Sequence, residues 1–190
     1  MKPLKYIKLF EDRLENLRKL ASLGLVDQDM QKVIDYMSGP MIGNLDLSGS
    51  SIKSLPDELV VGSDLWLDHS QIESLPAGLR VGGYLDLSHT PIKSLPKALR
   101  VGGSLDIMHT GIKRLPKDLQ VGGNLWLNDS QIESLPDGLV VNRDLDIGNT
   151  PIKSLPKGLE IGGNLWIYGI QLTELPDDLL VRGKIFNTER

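Results

Sequence analysis

The feature that most constrains this chain is a 20-residue phrase, VGGYLDLSHTPIKSLPKALR at 81–100, which recurs before and after itself without insertion or deletion. An aliphatic residue returns at Leu45, Leu65, Leu85, Leu105, Leu125, Leu145, Leu165 and Ile185, and a Leu-Pro pair returns from Leu55 to Leu175. A fixed period of this length requires a solenoid, because each unit can bury its apolar side only against its neighbours. Within the unit, Leu85 and Leu87 alternate with Tyr84, Asp86 and Ser88, the period-2 pattern of a short strand with one face in and one face out. Pro96 removes a backbone donor and opposes a long helix, so the return path is expected to be extended or 3₁₀. Gly82 and Gly83 are expected to close the coil at positive φ, with Asn142 as a tolerated substitute for the first glycine and Arg182 as a less obvious one. Stacked coils then align Leu on Leu at about 4.8 Å.

The phrase LxLxxTxIxxLPxxL, read across residues 41–186, resembles the leucine-rich repeat family in its short Leu-Pro form, which occurs in bacterial secreted effectors and in bacterial and phage proteins. The resemblance implies an α/β solenoid with a parallel β-sheet on one face, and a protein-binding function. Effectors of this type often carry a cysteine-dependent ubiquitin ligase domain, whereas this chain has no Cys. In place of the family's usual Asn stand Ser50, Ser70, Thr90, Thr110, Ser130 and Thr150, whose hydroxyls are expected to form a ladder along the stack. The Val-Gly-Gly turn also departs from the usual consensus, which keeps a flatter β-helix-like solenoid as the structural alternative.

Residues 1–40 read as an N-terminal cap of two helices and residues 41–190 as about seven coils with a partial last strand. Leu4, Ile7, Phe10, Leu14 and Leu17 make an amphipathic stripe between Pro3 and the stop at Gly24. Asp27 is placed to N-cap a second helix that buries Met30, Val33, Ile34 and Met37 before Gly39-Pro40. A cap is needed because the first coil would otherwise leave its core open to water. At the other end Ile185 and Phe186 finish an incomplete coil, and the open edge is expected to support a homodimer or a docked partner.

Composition narrows the function. A net charge of −4 and a pI near 5.4 argue against nucleic-acid binding, which calls for a basic stripe. The absence of Cys excludes disulfides, thiolate metal sites and a cysteine nucleophile, and it fits a cytoplasmic setting in a bacterial or host cell. No apolar run approaches the roughly 18 residues of a membrane span, and MKPLKYIKLFEDR lacks the apolar core of a signal peptide, so no membrane association is expected.

Because packing dictates the core positions, recognition chemistry belongs to the outward ones. Their central column reads Asp46, Trp66, Asp86, Asp106, Trp126, Asp146 and Trp166. Large aromatics on an open sheet face are typical interface anchors, with local packing of the rings as the alternative. The candidate partner-binding residues are Trp66, Tyr84, Asp86, Asp106, Met108, Trp126, Asp146 and Trp166. Asp86 and Asp106 between Trp66 and Trp126 suggest an anionic slot with aromatic walls, suited to a Lys or Arg side chain of a protein partner. A carbohydrate-binding protein is the alternative, with the Trp column as sugar platforms. A paired-carboxylate hydrolase is set aside because a shallow face offers nothing to raise one carboxyl's pKa, and no cofactor is expected. His69, His89 and His109 read as a polar ladder near the turn rather than as metal ligands, because parallel side chains do not converge.

Overall fold

The computed structural model describes residues 4–188, with side-chain surroundings from residue 11 onward, so Pro3 and the side chains of Leu4, Ile7 and Phe10 lie outside the described residues. The chain forms a parallel-strand β-solenoid of about seven turns with two helices at its N-terminus. Each coil contributes a two-residue strand to a sheet that runs from Leu45–Asp46 to Ile185–Phe186, and Leu45 pairs with Leu65 and Leu65 with Leu85 in unbroken register. Inside this sheet Leu85, Leu87, Ile92, Leu99 and Val101, with their counterparts in the inner coils, form one continuous apolar column.

Strands are not confined to one face. A second set begins at Val60–Val61 and pairs Val61 with Val81, Val81 with Val101 and Val101 with Val121. The return path therefore runs partly as strand, and among the described residues of the coils none is helical. The cause is general: every backbone N–H and C=O of a narrow coil needs a partner, and the identical coil one strand-spacing away offers one.

The glycine pair plays a different part from the one expected. Neither Gly82 nor Gly83 adopts positive φ. Gly82 is instead needed for close approach, since a Cβ there would lie 2.1 Å from the carbonyl oxygen of Gly62, and one on Gly102 would lie 2.2 Å from that of Gly82. In these coils Gly82 N–H donates to Val61 O and Gly102 N–H to Val81 O, each at 2.8 Å. Where Asn142 stands at the same position, its side-chain amide donates to Val121 O at 3.3 Å, and the second sheet divides there into Val60–Val61 to Gln120–Val121 and Val140–Val141 to Leu180–Val181. Arg182, in the final coil, keeps the backbone bond to Ile161 O at 2.9 Å.

Of the six hydroxyls, Ser50 Oγ is buried with no hydrogen-bond partner, and the others bond within their own coils rather than along the stack. Thr90 donates to Leu87 O at 2.6 Å, and Thr110 and Thr150 make the same turn-closing bond to Ile107 O and Ile147 O at 2.7 Å. A Ser or Thr side chain reaches its own turn more easily than the next coil.

The cap consists of α1 (Leu4–Ser22) and α2 (Gln28–Ser38). Asp27 caps α2 by accepting from Met30 N–H at 2.7 Å. Leu14, Val33 and Met37 close the core over Leu45 and Leu47. Tyr36 Oη accepts from Gly62 N–H at 3.0 Å, and Asp29 accepts from Ser51 N–H at 3.0 Å, so side chains of α2 satisfy first-coil donors that a preceding coil serves elsewhere. At the far end Leu175, Leu180 and Ile185 are 46, 43 and 43 % exposed. Phe186 lies with Ile185 on the last strand of the long sheet, and its ring stacks on Trp166 with centroids 5.2 Å apart, continuing the outward column. Among the described residues no helix is long and apolar enough to cross a membrane.

Deleting residues 1–39 should bare the first coil and cause aggregation, visible by light scattering; a truncated chain that stays monomeric and unfolds cooperatively would contradict the capping role. Gly102→Ala should destabilise by about 3 kcal/mol, because backbone rather than a side-chain tip blocks the new methyl. Gly111→Ala, whose Cβ would meet Lys93 Cγ at 3.5 Å and Ile92 O at 3.7 Å, both ordinary contacts, should change stability by less than about 0.5 kcal/mol, with urea titration measuring both variants.

Candidate functional site

The outward face of the long sheet is a set of columns, and three of them have a backbone task. In the column before the strands, each side chain accepts from the N–H of its counterpart one coil on: Asn44 from Asp64, Asp64 from Tyr84, Ser104 from Asn124, Asn124 from Asp144 and Asp144 from Asn164, at 2.7–3.1 Å. In the central column each Asp folds back on the residue two ahead, with Asp46 accepting from Ser48 N–H, Asp86 from Ser88, Asp106 from Met108 and Asp146 from Gly148, at 2.9–3.0 Å. These are Asx-type turns that hold the chain as it leaves the strand. The next column, Gly49, His69, His89, His109, Asp129, Asn149 and Gly169, is left-handed throughout, with φ from 53° to 68°. Only residue types that tolerate this region occur there, which accounts for the His run as a backbone requirement. The three imidazoles stack with centroids 4.5 and 4.3 Å apart. Loss of solvation, then repulsion from His109 and His69, holds His89 below the usual histidine range.

Tyr84 breaks the first ladder. A phenol at this position cannot take the place of Asn or Asp in the bond to the next coil, and its side chain instead crosses the central column. Its hydroxyl lies 2.9 Å from Asp86 Oδ2 and 3.1 Å from Asp106 Oδ2, and its ring meets Trp126 edge-on at 5.9 Å. Asp86 and Asp106 are register partners in adjacent strands. Asp106 is only 3 % exposed. Burial pushes its carboxyl up to about 6, with the Asp86 charge adding to the rise and the hydrogen bonds from Met108 N–H and Tyr84 opposing it. Burial, then the Asp106 and Asp86 charges, also drives the Tyr84 phenol above its usual range. Asp46 in the same column is exposed, and the backbone and side-chain hydrogen bonds of Ser48 hold it below the usual carboxylate range. One column thus holds two carboxyls displaced in opposite directions, and the difference is burial.

These observations revise the sequence-based picture of an open face. Trp66, Tyr84, Asp86, Met108 and Trp126 are half-buried and form one neighbourhood. Asp106, Asp146 and Trp166 are buried, at 3, 4 and 8 % exposure; Tyr84 crosses to Asp106, and the Phe186 ring stacks on Trp166. The face does raise one carboxyl's pKa, contrary to the reason given for setting a hydrolase aside. Asp106 is nonetheless only 3 % exposed, and both its oxygens are engaged. Sequence reasoning missed a concavity of about 590 Å³ around Trp126, lined also by Met108, Asn128, Tyr168, Asp106 and Asp146. Tyr168 fits there because its ring lies over Gly148, where a Cβ would stand 2.2 Å from Cζ. Buried at this place, Trp126 Nε1 has no hydrogen-bond partner. The available signals were the small residue at 148 beneath an aromatic at 168, and the single aromatic, Tyr84, in a column otherwise filled with Asn, Asp and Ser up to Asn164. Among the described residues no group of three His, Asp or Glu is placed to hold a metal ion.

No protein-family model matches the chain, and a search of curated proteins finds no match.

An acid whose folded pKa is raised keeps its proton in the folded chain while the unfolded chain releases it. Its contribution to stability is therefore present below about pH 4 and is lost as pH rises through about 6. Asp106→Asn, which can still accept from Met108 N–H, should stabilise the protein at pH 7.5 by on the order of 2–3 kcal/mol, with the gain shrinking toward zero at pH 4. Urea unfolding at pH 4, 5.5 and 7.5 checks this, and an equal gain at all three would contradict the buried-carboxyl assignment.

Proposed function

We propose that this protein is a non-enzymatic interaction module whose long strand face takes a Lys- or Arg-rich segment of a partner protein. The observation that carries the reading is charge segregation. Across the outward stretches 44–49, 64–69, 84–89, 104–109, 124–129, 144–149 and 164–169 stand eight Asp (46, 64, 68, 86, 106, 129, 144 and 146) and no Lys or Arg. The Lys and Arg of the repeats lie elsewhere in the coils, as with Lys93, Lys97 and Arg100. A net negative face set with half-buried Trp66, Tyr84, Met108 and Trp126 combines steering of a cationic partner with apolar area for it to cover. The leucine-rich-repeat-like phrase supports the same reading, since proteins with such repeats chiefly bind proteins. An effector-like bacterial or phage protein working in a cytoplasm suits a cysteine-free chain, and the anionic face disfavours nucleic acid.

A carbohydrate ligand is the second reading. The concavity favours it, because Trp126 and Tyr168 line it together with Asn128 and Asn149.

Titration calorimetry with an Arg- and Lys-rich peptide, a Glu-rich control and a glycan array separates the two. The basic peptide should bind, the acidic one should not, and affinity should fall steeply between 50 and 300 mM salt. Trp66→Ala and Trp126→Ala should each cost roughly 2–4 kcal/mol of binding. Salt-resistant glycan binding with no affinity for basic peptides would replace the first reading by the second.

A further inference from the structure

Resting on that reading, we propose that Asp86, Tyr84 and Asp106 hold one shared proton on the strand face and that a basic side chain docking on Asp86 displaces it, so that protonation and partner binding compete.

The site has fewer hydrogens than its carboxylate oxygens require. The Oδ1 atoms of Asp86 and Asp106 are each engaged by a backbone N–H, of Ser88 and Met108. Both Oδ2 atoms are directed at the same phenol oxygen, at 2.9 and 3.1 Å. Tyr84 has one hydroxyl hydrogen and cannot donate to both, so with both carboxyls ionised one contact sets lone pair against lone pair. A single added proton removes the conflict. Placed on Asp106, the more deeply buried of the two, it donates to Tyr84 Oη, which donates to Asp86 Oδ2, and the remaining charge sits on the half-buried Asp86. The raised pKa of Asp106 agrees with this placement.

No fixed cation competes for the site. From the preceding coil come Asp68 and His69, from their own coils His89 and His109, and from the following coil Asp129, while the outward stretches carry neither Lys nor Arg. Asp68 adds to the negative potential at Asp106, and loss of solvation, then repulsion from His109 and His69, disfavours charging of His89. An incoming ammonium or guanidinium group resolves the conflict in the other way. It donates to Asp86 Oδ2, the Tyr84 hydrogen turns wholly to Asp106, and the Asp106 proton leaves to solvent, one proton released for each cation docked. Occupancy by the cation therefore requires the deprotonated pair, and binding tightens as pH rises.

Two measurements test this, and the first needs no partner. Carboxyl carbon NMR of the full chain should show one of the two sites titrating near pH 6, with Tyr84→Phe moving that midpoint by more than half a unit. Ordinary Asp midpoints for both sites, unmoved by Tyr84→Phe, would overturn the shared proton. The second is calorimetry with a hexa-arginine peptide from pH 4.5 to 8, in buffers of different ionisation enthalpy. Below pH 6 the Kd should weaken about tenfold per pH unit with close to one proton released per peptide, and it should level off above pH 7. Asp106→Asn, isosteric with the protonated form, should bind as weakly at pH 7.5 as the parent does near pH 5. Binding of hexa-arginine without pH dependence would overturn the competition and leave the basic-partner reading standing. No binding at any pH would overturn both, and the NMR titration would still decide the shared proton.

Discussion

Everything in this molecule depends on backbone hydrogen bonds between coils at one strand spacing and one register. Leu65 sits on Leu45 and beneath Leu85 because their strands pair residue for residue. The apolar column and the parallel ladder are two aspects of one arrangement. Glycine at 82, 102 and 122 serves this constraint, since in these coils a Cβ would lie 2.1–2.2 Å from the carbonyl oxygen of the preceding coil. Where Asn142 intrudes, the second sheet divides while the long sheet does not, which shows that each side of the coil pairs on its own terms. The cap answers the same constraint. Tyr36 and Asp29 satisfy backbone donors at the open end of the first coil, while Val33 and Met37 close the core.

Perfect register has an electrostatic consequence on the outer face. Equal positions in successive coils are stacked, so any acidic preference in the repeat places carboxylate near carboxylate, an interaction worth roughly 3 kcal/mol at 5 Å and an effective dielectric of 20. The chain relieves it in several ways. Most Asp side chains turn to backbone N–H donors, three central positions carry Trp in place of Asp, and at the one adjacent pair in the central column, Asp86 and Asp106, a tyrosine from the neighbouring column is laid between them. Tyr84 gives up a rung of its own ladder to do so. A residue that breaks a local rule and thereby creates a buried, raised-pKa carboxyl is a stronger sign of function than the Trp column, whose rings are partly accounted for by packing on the sheet.

The face that results is anionic, aromatic and nearly free of competing cations. Its charge is not constant: with Asp106 at about 6, the central pair carries one charge or two across a range that many compartments span.

What the sequence determined by itself is whatever repeats. A 20-residue period with aliphatic residues at equal positions admits only stacked coils, and the helical stripe around Val33 and Met37 leads to a cap by the same logic of covering a core. It also identified the outward columns and singled out Asp86, Asp106, Trp66 and Trp126 as their unusual members. Tertiary structure decided what depends on distances between coils. Gly82 reads as a turn residue in isolation and proves to be a clearance against the preceding coil, and the histidine run, which reads as a polar ladder near the turn, proves to follow a left-handed backbone. Tyr84 reads as a neighbour of the acids and proves to bridge them, burying one and leaving the other within reach. Periodicity specifies which residues are stacked, but burial and hydrogen-bond direction depend on how far apart the stacked backbones lie and which side chain crosses from one column to the next.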